Sequence, residues 1–266
     1  MRARSALFDV YGGYLRARGG AAAIAALVRL LEPLGFGAPA IRTAVSRMVR
    51  QGWLEPVRLA EGPGYALTRR AERRLDEAGA RIYRTRPSTW DGRWQVVVLT
   101  GPPGRADRER LDSSLRLLGY APLGPATWIA PRPSPELADL LAADGVAATV
   151  FHGAHHGSDA ELAAAAWDLA ALGAGYTAFV REWEPRMSAV DGSDPAAAFA
   201  ESQRLLHAWR GFLFHDPGLP PELLPDDWPG RLAAGVFDRH TARLAPAAET
   251  FLDRCLEAGR STKSTA

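Results

Sequence analysis

The chain has 266 residues, 47% of them hydrophobic and 9% aromatic, with a net charge of +2 and one cysteine. That length exceeds what one hydrophobic core usually organises, so several domains are expected. The lone Cys255 excludes an internal disulfide and gives no zinc-ligand spacing, no apolar run reaches the roughly 20 residues that span a bilayer, and the opening Met1-Arg2-Ala3-Arg4-Ser5 does not read as a signal peptide, so no membrane partner and a cytoplasmic location are expected.

The near-zero total hides an asymmetry. Residues 1–86 hold sixteen Arg against seven Asp or Glu, a balance of +9, and residues 87–266 hold sixteen Lys or Arg against twenty-three acids, a balance of −7. A basic module on an acidic remainder is an electrostatic footprint for nucleic acid. The module itself reads as helices followed by a hairpin. Ser5 is placed to cap a helix carrying Leu7, Val10, Tyr11 and Tyr14, which Gly19-Gly20 ends. Ile24, Leu27, Val28 and Leu31 mark a second helix, stopped near Leu34-Gly35-Phe36-Gly37 by a short turn of the kind that joins two steeply crossing helices.

The third helix, from about Pro39 to Gln51, is the most informative stretch. On a helical wheel Ile41, Ala44, Val45, Met48 and Val49 occupy one half and Arg42, Thr43, Ser46, Arg47, Arg50 and Gln51 the other, with no acid among them. An ordinary solvated face mixes both signs, whereas a helix seated in a major groove needs donors for phosphates and base edges. Two short strands follow, Trp53–Leu59 and Gly64–Thr68, around Glu61-Gly62-Pro63-Gly64. That is the place of a wing. A fourth helix, Arg69 to Arg84, turns Ala71, Leu75, Ala78 and Ile82 inward and Arg70, Arg73, Arg74 and Arg81 outward, and Pro87 ends it.

The middle of the chain alternates. A strand at Trp94–Thr100, a helix at Arg105–Leu118, strands at Tyr120–Leu123 and Thr127–Ala130, a helix at Pro135–Ala143 and a strand at Ala147–Phe151 give the order βαββαβ of a ferredoxin-like fold. From Ser158 the signals are helical: a capping box, Ser158-Asp159-Ala160-Glu161; a helix with Tyr176, Phe179, Val180 and Trp183; one capped by Asp194 with Pro195 at its first position; and a last one from near Pro229 that Pro246 should kink or split. The expected fold class is α+β, with boundaries 1–86, 87–153 and 154–266.

Motifs that resemble catalytic chemistry do not hold up. His152, His155 and His156 cluster on a loop without cysteine partners and are not taken as a metal site. Gly101-Pro102-Pro103-Gly104 lacks the Gly-Lys-Ser/Thr ending of a phosphate loop and reads as a turn. His215-Asp216-Pro217 has no nucleophile motif beside it. No catalytic residue and no cofactor are expected.

The stretch Arg4-Ser5-Ala6-Leu7-Phe8 through Tyr11-Gly12-Gly13-Tyr14, and above all Ile41-Arg42-Thr43-Ala44-Val45-Ser46-Arg47-Met48-Val49 with Gly52-Trp53-Leu54, resembles the phenylacetic-acid catabolism repressor family, PaaX. The resemblance implies a winged helix-turn-helix, a ferredoxin-like middle domain and a helical C-terminal domain containing Ala166-Trp167-Asp168-Leu169. It further implies a homodimeric repressor of an aromatic-acid catabolic operon, released from its operator by an aryl-CoA thioester such as phenylacetyl-CoA. The middle domain is also similar to the small ferredoxin-like nuclease of CRISPR adaptation. That nuclease carries a metal-binding carboxylate where this chain reads Leu99-Thr100-Gly101, so a dimerisation platform is expected here.

On this basis Arg42, Thr43, Ser46, Arg47 and Arg50 are expected in the major groove of a palindromic operator, Arg58 and the wing against the backbone, and Arg2, Arg4 and Arg16 on phosphates. The effector's ring would need aromatic walls and its phosphates arginines, for which Tyr176, Trp183, Trp209, Arg181, Arg204 and Arg210 are the candidates. Two other classes fit less well: a nuclease or acyl-CoA enzyme with an accessory winged helix, and an RNA or single-strand binder using the same basic face.

Overall fold

The computed structural model describes residues 1–83, 89–101 and 105–258. The helix stop expected at Pro87 and most of the Gly101–Gly104 turn lie outside them. The fold is α+β, and the chain divides into two compact units: Met1–Arg84, Phe179–Arg210 and Leu232–Ala266 form the first, Thr85–Ala178 and Gly211–Arg231 the second.

In the first unit, helix α1 (Ala3–Val10) continues as one wide π turn over Tyr11–Leu15 and a 3-10 turn over Arg16–Arg18. Its cap position is Arg2, not Ser5, and no side chain caps it, because the apolar face already extends back to Ala3 and Ala6. Gly19 and Gly20, at φ 89° and 69°, turn the chain into strand β1 (Ala21–Ala23). This strand is too short and too uniform to show in an alanine run. Helix α2 (Ile24–Leu31) follows, then helix α3 (Ala38–Arg50), strands β2 (Leu54–Leu59) and β3 (Gly62–Leu67), and helix α4 (Arg69–Ile82). The sheet order is β1-β3-β2, all antiparallel. The hairpin turn is tighter than expected, since β3 begins at Gly62, which takes φ 125° opposite Leu59.

The core of this unit combines Leu7, Leu27, Leu30, Ile41, Met48, Leu54 and Leu67 with Phe199, Ala248, Leu252 and Cys255. The last four come from helices α9 (Pro195–Arg210) and α10 (Gly230–Glu257). Asp194 caps α9, its Oδ1 accepting from the Ala196 and Ala197 amides at 2.9 and 3.1 Å. Helix α10 runs unbroken through Pro246, contrary to the expected split. A proline removes only one helical N–H, and burial of Leu244, Ala248 and Leu252 on either side of it holds the helix together.

In the second unit, strand β4 (Trp94–Leu99), helix α5 (Arg105–Leu117), strands β5 (Ala121–Pro122) and β6 (Thr127–Ala130), helix α6 (Leu137–Ala143) and strand β7 (Ala148–Gly153) form an antiparallel sheet of order β5-β6-β4-β7. Strand alternation splits its side chains between two cores. Val97 and Trp128 pack with Leu111, Leu115 and Leu137; Trp94 and Ile129 pack on the other face with Ala163 and Leu223. Helix α7 (Asp159–Ala166) has the expected cap, Ser158 Oγ accepting from the Glu161 amide at 3.3 Å. Helix α8 (Leu169–Ser188) contributes Tyr176, stacked on Phe212 at a centroid distance of 4.1 Å.

Candidate nucleic-acid interface

Helix α3 is built to expose one side. Residues Ile24–Leu34 and Ala38–Arg50 meet at a bend of 120°. Gly35 makes that bend at φ 87°, a value that strains any side chain bearing a Cβ. Ile41, Ala44, Val45 and Met48 are buried, and Arg42, Thr43, Ser46, Arg47 and Arg50 are exposed. Val49 is only partly buried, against the edge of the core. Among the described residues Arg42, Arg47 and Arg50 have no ion pair and no side-chain hydrogen bond. Three guanidinium groups on one helix face repel each other, and no carboxylate among the described residues balances them.

The hairpin follows directly. The Trp53 amide donates to the Met48 carbonyl at 2.9 Å, which ends α3 and starts β2. Arg58 is exposed on β2 opposite Pro63 and is unpaired among the described residues. Arg2 and Arg4 are exposed at the start of α1, with the Arg4 guanidinium 5.5 Å over the Phe8 ring. Arg16 differs: it is half-buried, ion-paired with Asp76 and packed against Gly79. Its charge is already balanced.

The residues proposed for an effector do not form one group. Tyr176 belongs to the second unit, where its hydroxyl donates to Asp216. Trp183 and Trp209 meet in the first unit through Phe179, at 6.1 and 5.4 Å, and Trp209 stacks on Phe237 at 5.1 Å and donates to the Ile82 carbonyl at 3.1 Å. Arg204 donates to Glu201 at 2.7 Å and to the Pro33 carbonyl at 3.2 Å. Burial alone would raise the Glu201 carboxyl, but its bonds to Arg186 and Arg204 outweigh that and hold it low. Arg210 Nε pairs with Asp9 at 2.7 Å. Arg181 is exposed on α8.

No pattern in the sequence points to the cluster around Asp9. This carboxylate is buried on α1 and meets both Arg210 and His207 from α9. A cleft of about 400 Å³ in the first unit, lined by Ala22, Ala26, Leu59, Glu61, Asp253 and Leu256, contains none of the expected effector residues. Among the described residues no three His, Cys, Asp or Glu side chains gather as a metal site, and no single helix is long and apolar enough to cross a membrane.

Three family models cover the chain in succession: PaaX-like protein over residues 2–71, the PaaX protein central Cas2-like domain over 87–165 and the PaaX-like protein C-terminal domain over 167–254. The transcriptional repressor PaaX of Escherichia coli (strain K12) is 33% identical over 270 residues, spanning 93% of this chain and 82% of the relative. A solved structure of an uncharacterized protein, Rv0674, from Mycobacterium tuberculosis aligns with a TM-score of 0.63 at 25% identity, over 94% of this chain and 98% of that one. With matches from residue 2 to residue 254 and a relative 33% identical over 93% of this chain, this chain belongs to the PaaX family.

Proposed function

We propose that this protein is a homodimeric, DNA-binding transcriptional repressor of a phenylacetate-type catabolic operon, and a regulator without catalytic activity. The observation that carries the reading is the acid-free arginine face of α3, unpaired among the described residues, on the second of two helices that meet at 120°. Residues 1–86 act as a winged helix-turn-helix, with the β2–β3 hairpin as the wing. Arg42, Thr43, Ser46, Arg47 and Arg50 enter the major groove, and Arg58, Arg2 and Arg4 lie on phosphates. Arg16 joins them only by giving up Asp76.

Residues 87–153 act as a ferredoxin-like domain; the β5-β6-β4-β7 order supports this, being that of two interleaved βαβ halves. Edge strand β7, exposed from Thr149 to Gly153 and free of charge, supports its role in pairing two copies. Residues 154–266 carry the response to an aryl-CoA thioester. Arg181 is the candidate whose charge is free among the described residues, whereas Arg204 and Arg210 must release Glu201 and Asp9 to hold a phosphate.

The test is a titration of the protein against duplex selected from random sequence, in competition with the same sequence as single strands and as RNA. Duplex-specific binding that phenylacetyl-CoA, and not CoA, reverses is the expected result. Equal binding to single strands would overturn the groove reading. A melting temperature unmoved by phenylacetyl-CoA would overturn the effector.

A further inference from the structure

The first turns of α4 carry Arg69, Arg70 and Arg73, all exposed. Arg69 and Arg73 stand four residues apart, so their charges share one side of the helix and repel. Among the described residues neither guanidinium has a carboxylate partner or a hydrogen-bond acceptor. Glu72, the acid between them, is turned elsewhere: a Cβ built on Gly20 would lie 3.7 Å from its Oε1.

Arg70 is held differently. Its guanidinium carbon lies 5.8 Å over the Trp53 ring, Trp53 meets Phe8 edge to face at 4.9 Å, and the Arg4 guanidinium carbon lies 5.5 Å over the Phe8 ring. A ring steers a guanidinium without neutralising it and leaves N–H donors for an anion. The same stretch is tied to the end of α3. The Thr68 hydroxyl donates to the Gly52 carbonyl at 2.7 Å and accepts from the Ala71 amide at 3.3 Å, and the Thr68 amide donates to the Trp53 carbonyl at 3.2 Å. The start of α4 is thereby anchored to the turn that ends α3.

We propose that Arg69, Arg70 and Arg73, with Arg4 aligned by the Phe8–Trp53 pair, form a second phosphate-binding strip that grips the duplex backbone beside the groove occupied by α3. The inference rests on the DNA-binding reading above. Side chains beside an inserted helix meet the strand that borders the groove, where contacts fix position and carry no base information. The repulsion between Arg69 and Arg73, which no described residue compensates, is relieved when a phosphate sits between them.

The experiment compares the parent with the R69Q/R70Q/R73Q and R69K/R70K/R73K variants, reading duplex affinity from low to high salt. Each lost phosphate contact flattens the slope of log K against log salt by about 0.9. The glutamine variant should lose two to three such contacts, keep the parent's preference for selected over scrambled duplex, and melt no earlier than the parent, since glutamine suits a helix and the repulsion is gone. The lysine variant should keep the parent's slope, because it keeps the charge. A glutamine variant with the parent's slope overturns the strip while leaving the α3 reading intact, and the same slope with an earlier melt marks these arginines as structural. A parent that binds no duplex overturns both.

Discussion

Oδ2 of Asp9 lies 3.0 Å from Nδ1 of His207, 198 residues further along the chain. The other carboxylate oxygen is 2.7 Å from Arg210 Nε, close enough for an ion pair but without hydrogen-bond alignment. Asp9 is buried, so it gives up hydration that these two partners only partly replace. Desolvation therefore dominates and raises its pKa from the ordinary 3.8, against the opposing pull of the His207 hydrogen bond, Arg210 and the His207 charge.

A carboxyl with a raised folded-state pKa favours folding below its unfolded value and loses that contribution as pH climbs through the folded one. The stability of the native chain relative to Asp9→Asn should accordingly fall as pH climbs above about 4, the unfolded value, since Asn keeps the shape without the charge. Each tenfold change in proton affinity on folding is worth about 1.4 kcal/mol. Urea unfolding of both proteins across that range measures the difference. A difference that grows with pH would mean the two ion pairs outweigh desolvation.

Arg47 and Arg58 should behave differently on DNA, because one sits on the face of α3 and the other on the wing. Arg47→Ala should cost about 1–3 kcal/mol on the selected duplex and relax preference at one base pair, as expected for a lost bidentate base contact. Arg58→Ala should weaken selected and scrambled duplexes alike and flatten the salt dependence by about one contact. Anisotropy titrations at several salt concentrations read both. Unaltered operator affinity in the Arg47 variant would remove α3 from the groove.

The sequence made the arginine face of α3 legible because thirteen residues in one helix put their period on display: the buried set Ile41, Ala44, Val45, Met48 is the wheel's apolar half less Val49, which is partly buried. Two side-chain caps were legible, at Ser158 and Asp194, while those at Thr68 and Asp168 were not. The three-alanine strand β1 was not, since its only signature is pairing with Gly64 to Ala66 across the sheet. Nor was the partner of each apolar face. Periodicity in α9 predicts that Phe199 is inside something, and only the fold shows that it is inside the same core as Leu7 and Ile41. Asp9 likewise reads as an unremarkable acid until His207 and Arg210 are placed against it.

Gly64 of β3 pairs with Ala23 of β1. A Cβ there would stand 2.6 Å from Leu59 Cδ1 and 2.8 Å from the Ala22 carbonyl oxygen, and that oxygen belongs to backbone that cannot swing aside. Gly64→Ala should destabilise the first unit by about 1–3 kcal/mol, the usual cost of overpacking. Because the strain falls on the hairpin proposed as the wing, that proposal expects duplex affinity to drop even at temperatures where the protein stays folded. A variant that melts with the parent and binds DNA equally well would show that β1 yields at no cost.

The shared core makes a stronger claim on distant residues. Phe199 is fully buried, its ring 5.5 Å from Tyr14 and 5.3 Å from Phe251, so Phe199→Ala removes one aromatic contact between α9 and the turns that follow α1. Truncating a buried Phe costs about 3–5 kcal/mol, a large share of the 5–15 kcal/mol that holds a typical domain. The melting temperature should fall by on the order of 10 °C. If residues 1–83 relied on their own helices alone, that loss would stay in the C-terminal helices. Because Leu7, Val10 and Ile41 belong to the same cluster as Phe199, amide exchange in α1 and α3 should accelerate together with exchange in α9. Faster exchange confined to α9, with α3 protected as in the parent, would separate the reading head from the helices that complete its core.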